Sequence, residues 1–292
     1  MKKRTYAYSV ADFPFVLRLC EGLDEEALLP SFGPFRTEGG SMGQPLFELS
    51  AEMAGILPAR TARKPLEQTD NDMGHLDLYS TPEGYEIEIT YGGCRHLMSV
   101  DRTFANAKAW LSPADPHLGD ALSSLLRIVY AQAIIPHCAV SLHAAAVCNR
   151  GRAYLFMGRS GTGKSTHASL WLEHIAGTSL LNDDNPTVRI MQGEARAYGT
   201  PWSGKTPCYK NADYPIAGMV RLRQAEHNAF CRQEGAEAFV AIYPGCSLIA
   251  QDERLRNCLY DTLAMLAGTV IVGTLDCTPD RDAAIICHQS LG

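Results

Sequence analysis

The sequence predicts an α/β protein, with a larger α/β domain behind a smaller β-rich N-terminal domain. Three observations carry this. From about residue 113 onward, apolar patterns of strand and helix length alternate, as they do when helices cover a sheet. Within that stretch a glycine-rich loop, Gly158–Ser165, is entered from a short apolar run and left by a helix-periodic one. Before residue 112 the chain offers short β-type segments broken by turn residues. The expected domains are therefore 1–112 and 113–292.

In the N-terminal part, Arg4–Val10, Pro45–Ser50, His75–Ser80, Tyr85–Tyr91 and His96–Val100 are the expected strands. Glu86–Tyr91 alternates polar and apolar with period two, the mark of a half-buried antiparallel strand. Thr81-Pro82-Glu83-Gly84 and Gly92-Gly93 are turn signals, and Gly33–Gly43 reads as a loop. Ser112–Pro116 punctuates the chain. A helix follows from Leu118 to Ile134, with Leu118, Leu122, Leu125, Leu126, Val129 and Ala133 on one face, and Pro136 ends it.

Residues 139–147 and 153–157 flank a tight connection, Cys148–Arg152, and predict a hairpin. If opposed residue numbers sum to about 300, His143 lies beside Met157 or Gly158. After the glycine-rich loop, Ala168, Trp171, Leu172 and Ile175 share one helix face, and Gly177 stands where a helix-ending glycine would. Asp252–Leu266 reads as a helix, Thr269–Leu275 as a β-branched strand and Asp280–His288 as the last helix.

The 292 residues are 46% hydrophobic and 20% charged, the balance of a soluble globular protein. A formal net charge of -6 argues against nucleic acid as a general partner. Ten cysteines, none in a C-x-x-C pair, read as reduced thiols of a cytoplasmic protein, not as a disulfide framework or zinc site. Met1-Lys2-Lys3-Arg4 is basic, but Asp12 and other polar residues precede any sustained apolar run, so no signal peptide is expected. No apolar stretch approaches the length of a membrane span.

The chemistry concentrates around Gly158-Arg159-Ser160-Gly161-Thr162-Gly163-Lys164-Ser165, which matches the P-loop pattern G-x-x-x-x-G-K-[ST]. Glycines let backbone N–H groups turn inward around phosphate oxygens, and a helix starting near Lys164 adds its positive end. Gly158, Ser160, Gly161, Thr162, Gly163, Lys164, Ser165 and Thr166 are thus candidate nucleotide contacts. Lys164 reaches the β- and γ-phosphates, and the Ser165 hydroxyl suits Mg²⁺.

Leu180-Leu181-Asn182-Asp183-Asp184 has the form of an apolar strand ending in metal-binding carboxylates, one helix after the loop. Two adjacent acids can divide roles between Mg²⁺ and general base. By the hairpin register, His143 sits at the mouth of the phosphate loop and can orient Asp183 or share a proton with it. Tyr198–Lys205 is a Gly/Pro/Trp loop able to cover the nucleotide or substrate, with Lys205 placed to neutralise charge on the transferred group. Lys210, Arg221 and Arg223 read as surface charges.

The His143 strand, Gly158–Ser165, Asp183-Asp184 and the close from Cys277-Thr278-Pro279-Asp280 to Ala284–His288 together resemble the HPr kinase/phosphorylase family and its relatives of phosphoenolpyruvate carboxykinase-like fold. The resemblance runs from about His143 to Cys287. It implies a P-loop kinase domain of that fold, with ATP and Mg²⁺ as cofactors. It implies Asp183 as base, His143 as its partner, and Asp184 with Ser165 at the metal. Family relatives assemble as rings, so it also implies a homo-oligomer. The glutamate that such kinases carry in a glycine-containing signature has no counterpart in Arg196–Trp202.

The expected function is ATP- and Mg²⁺-dependent transfer of the γ-phosphoryl group to a hydroxyl acceptor, a protein serine or a small molecule. The alternatives are a non-catalytic nucleotide-binding sensor or accessory protein, and phosphorolysis of a phosphoserine.

Overall fold

Short extended runs bounded by turn residues, such as Gly84–Tyr91 before Gly92-Gly93, pair in the first part of the chain into a single sheet. The structure is a computed structural model that describes residues 3–37, 43–58, 62–71 and 74–292. Eight strands succeed one another: β1 (Lys3–Val10), β2 (Phe13–Cys20), β3 (Phe47–Met53), β4 (Lys64–Asn71), β5 (Gly74–Ser80), β6 (Gly84–Tyr91), β7 (Cys94–Asp101) and β8 (Asn106–Leu111). They form one sheet in the order β1-β2-β3-β8-β7-β6-β5-β4, with β3 parallel to both neighbours and the other pairs antiparallel. Ala11 and Asp12 both have positive φ, which gives the β1–β2 turn the twist a two-residue hairpin requires.

Strands β2, β4 and β8 are additions to the sequence expectation. Strand β2 is apolar on both faces, so it has no period-two signature, and Pro14 argues against a strand. Phe15 stacks between Tyr8 and Phe47. Of the expected loop at 33–43, Gly33–Phe35 closes a 3₁₀ helix, Pro30–Phe35, whose Phe32 and Phe35 are buried. Arg36 bridges back to Tyr8, and residues 38–42 lie outside the described residues.

A short helix, α1 (Glu25–Leu28), and a long one, α2 (Leu118–Ala133), complete this unit. The second helix packs on β3, β6, β7 and β8, so the chain divides after Ile134, not near residue 112 as the punctuation suggested. The apolar stripe of α2 seals the sheet face, which ties the helix to the first unit.

His96 on β7 is fully buried. Its Nδ1 accepts the Ser112 N–H at 3.3 Å, and its Nε2 lies 2.9 Å from Asp115 Oδ2. Burial pushes this imidazole below its ordinary value, and Asp115 offsets the effect only in part. The unfolded chain therefore takes up a proton first. The stability from this site is full above the unfolded pKa of about 6.5 and is lost as pH falls from there toward the folded value. Unfolding midpoints should drop as pH falls from about 7 to 5, with a flatter slope in His96→Gln. Equal slopes in urea titrations of the two proteins would contradict this.

The second unit, residues 135–292, begins with β9 (Ala139–Ser141), β10 (Ala144–Asn149), β11 (Arg152–Met157), α3 (Lys164–His174) and β12 (Thr178–Asp184). It continues with β13 (Thr187–Met191), β14 (Glu194–Tyr198), β15 (Asp213–Gln224), β16 (Ala229–Gln233) and α4 (Gly235–Ile242), and ends with α5 (Glu253–Thr269), β17 (Ile271–Cys277) and α6 (Arg281–Ser290). The sheet order is β12-β10-β11-β15-β14-β13-β9, with β17 also on β15 and β16 on β17. The 12-residue β15 makes this fork possible: its first residues pair with β14, and the rest runs parallel to β11 and β17.

Trp171 of α3, fully buried, packs on Tyr154 and Phe156 of β11 within a core completed by Ala284, Cys287 and Leu291. Helix α4 packs on β15 and β17, and α5 on α4, β9 and β14. The mixed α/β class with two sheets matches the sequence expectation.

Three local expectations shift. The segment 139–147 is two strands, with β9 on β13 and β10 on β11 and β12. Leu172 is 41% exposed, and the buried stripe of α3 is Lys164, His167, Ala168 and Trp171. Polar Lys164 and His167 hide that stripe from an apolar count. Thr269 closes α5, and its strand begins only at Ile271. Both final helices start as expected, capped by Asp252 and Asp280, whose side chains accept the Leu255 and Ala283 N–H groups. All ten cysteines are free. Among the described residues no helix is long and apolar enough to cross a membrane.

Candidate functional site

The β10–β11 hairpin turns at Arg150-Gly151, both with positive φ, and sets Ala144 opposite Met157. Pairing ends there: the His143 N–H turns to Gly245 O at 2.7 Å, while its ring and Gly158 O meet at the Lys164 ammonium. The loop after β11 needs its glycines: Gly158, Gly161 and Gly163 have φ of +155°, +79° and +103°. Helix α3 starts at Lys164 with Gly163 as its capping residue, and His167 N–H closes the first turn on Gly163 O at 2.8 Å. The first-turn amides of such a helix point outward as an anion site. Thr162 Oγ1 donates to Arg159 O at 2.7 Å, and Gln224 Nε2 reaches Gly161 O at 3.3 Å, so the loop is braced from both sides.

Lys164 is only 9% exposed. Its ammonium meets His143 Nε2 at 2.8 Å, Gly158 O at 3.1 Å and Arg159 O at 3.4 Å, using all three donors. Burial holds it below the usual lysine value, against the pull of Asp184 and Asp183. With Nε2 accepting from Lys164, the His143 ring carries its proton on Nδ1, which lies 2.8 Å from Asp184 Oδ1. The result is a chain from Asp184 through His143 to Lys164.

Strand β12 runs antiparallel to β10, with Asp183 opposite Ala145 and Asp184 opposite Ala144. Ser165 Oγ donates to Asp183 Oδ1 at 2.8 Å, and the Thr206 N–H reaches Asp183 Oδ2 at 3.3 Å. The resemblance implied His143 with Asp183 and Ser165 with Asp184, and the structure crosses the pairs. Neighbours along a strand point to opposite sides, so one carboxylate meets α3 and the other does not. Asp184, the last residue of β12, has φ +155° and meets His143 and Asn185.

The loop after β14 lies along this strand end. Asn182, fully buried, donates to Thr200 Oγ1 at 3.2 Å and Trp202 O at 2.9 Å, and its Oδ1 accepts the Asn185 N–H at 2.9 Å. Ser203 bridges Asp184, and Gly204 N–H donates to Asp183 O. Lys205 is exposed on this loop. Sequence reasoning passed over Asn182, Thr206 and Gln224. A buried amide at the end of an apolar strand was the one available signal, and it reads equally as turn chemistry. Lys210, Arg221 and Arg223 bond Leu180 O, Ala241 O and Asp276 and take no part in the site.

An added Cβ on Gly204 would stand 2.7 Å from Asp183 O. Gly204→Ala should therefore push the loop off the strand and speed amide exchange across residues 199–206 by about tenfold or more. Thermal unfolding should change little, and unchanged exchange in this loop would contradict the positioning role.

Among the described residues no group of three or more His, Cys, Asp or Glu side chains gathers as a metal site. The donors present are the Ser165 hydroxyl and the Asp183 and Asp184 carboxylates, all hard oxygens. That set fits Mg²⁺, which takes one or two carboxylates and completes its shell with phosphate oxygens and water.

No family model and no curated protein sequence matches the chain. Among solved structures, it is similar to the Hpr(Ser) kinase/phosphatase from Coxiella burnetii, at 10% identity and a TM-score of 0.32, over 51% of this chain and 86% of that one.

Proposed function

We propose that the second unit is an ATP- and Mg²⁺-dependent phosphotransferase acting on a hydroxyl acceptor, a protein serine or a small molecule. One observation supports this most: the P-loop lysine and serine each touch the machinery of a different member of the Asp pair. Loop N–H groups would hold the β- and γ-phosphates, with the positive charge of Lys164 beside them. Ser165 and Asp183 would hold Mg²⁺, which would neutralise phosphate charge. Asp184, oriented by His143 Nδ1–H, takes the proton from the attacking hydroxyl. Lys164 stays beside the transferred group and stabilises its charge. Relative to the family resemblance, this reading exchanges the roles of the two acids, because the contacts are exchanged.

A second reading is a nucleotide-binding sensor or accessory protein that transfers nothing. It is favoured by the absence of an acidic residue in Arg196–Trp202, beside the Asp strand. Incubation with γ-labelled ATP and candidate hydroxyl acceptors separates the two. Transfer, with ADP released in step, supports the enzyme. Thermal stabilisation by ATP and Mg²⁺ with no ADP formed supports the sensor.

A further inference from the structure

We infer that the nucleoside half of the bound triphosphate sits in the cleft between α3 and the turns that follow β15 and β17. This rests on the nucleotide reading above and adds the direction in which the ligand runs. The first turn of α3 presents different residues to its two sides. Lys164 and Ser165 bond His143 and Asp183, so the terminal phosphate and its metal belong on the β10–β12 side. Thr166 and Leu170, one turn apart, line a cleft on the other side of the same helix. A phosphate chain cradled by the loop with its γ-end at the Asp pair must leave toward that cleft.

The cleft encloses about 290 Å³, close to the lower end of ordinary small-molecule sites. It begins at Gly161–Gly163, so it is continuous with the phosphate loop. Its far wall is Gln224-Ala225 and Cys277-Thr278-Pro279, joined by the Ala225 N–H to Cys277 O bond. None of its lining residues is an acid, a lysine or an arginine. Such a lining suits an uncharged planar group and disfavours a further phosphate or a charged acceptor. Leu170, Ala225 and Pro279 supply apolar surface for the faces of a base, and Gln224 ties this wall to the loop through Gly161 O.

The test compares ATP with inorganic tripolyphosphate, each with Mg²⁺, titrated calorimetrically into the whole chain. Ala225→Trp and Pro279→Trp fill the cleft from two separate turns and touch nothing at the Asp pair. The expected result is ATP affinity reduced about tenfold or more in both variants, with tripolyphosphate affinity within about twofold of wild type. Retained tripolyphosphate binding also shows that the variants are folded. ATP affinity unchanged in both overturns the inference, as does wild-type protein binding the two ligands equally. Neither of those results touches the phosphate reading. Wild-type protein that binds neither ligand removes that reading and the inference with it.

Discussion

Replacing Lys164 with alanine is expected to cut magnesium-dependent ATP turnover by about a thousandfold, the scale seen when one preorganised donor to a developing charge is lost. The structure explains why this residue should dominate. Its ammonium is buried, bonds three acceptors and joins the Gly158–Ser165 loop to His143. On the proposed reading, alanine there removes the positive charge that faces the phosphates. It also leaves His143 Nε2 without its donor, so the Asp184 contact loses its orienting partner. Lys164→Arg should not rescue, because a planar five-donor fork cannot occupy a pocket shaped for one ammonium. Circular dichroism checks that the fold survives, and turnover within about tenfold of wild type would show that Lys164 is not at the reacting phosphate.

The second large effect divides the acids. Asp184→Asn should lower transfer by about a hundredfold or more, while ATP and Mg²⁺ binding stay close to wild type, because an amide cannot accept the acceptor's proton. Asp183→Asn should also lose transfer and keep nucleotide binding, but with a shifted magnesium requirement, since its partner is Ser165. Magnesium titrations of turnover distinguish the two. A raised magnesium requirement in Asp184→Asn, with none in Asp183→Asn, would restore the roles that the family resemblance implied. Full activity in both would remove the pair from the mechanism.

Much of this site could be read from residue order because it is local. A strand, glycines at positive φ and a helix opening on Lys164 follow within a short stretch, and each has a sequence signature. The hairpin register is also legible, since a two-residue turn at Arg150-Gly151 fixes the later pairs up to Ala144 opposite Met157 and so carries the chain to His143 and Gly158 at the hairpin's open end. What was not legible depends on which way a side chain turns. Neither spacing nor resemblance shows that Asp184, not Asp183, meets His143, or that Asn182 turns inward to fasten the 199–206 loop. Strand β2 was missed for a related reason: burial on both faces erases alternation. The helix Leu118–Ala133 is plain in its apolar stripe, but its unit is not, because punctuation marks a turn, not the sheet a helix will cover.

The most direct test is a calorimetric titration of ATP into the full chain, with and without Mg²⁺, for wild type and Lys164→Ala. Saturable binding that Mg²⁺ strengthens and that the variant loses is the expected result. Binding that is indifferent to Lys164, or no binding by the wild-type protein, would contradict a phosphate loop working beside Asp183 and Asp184.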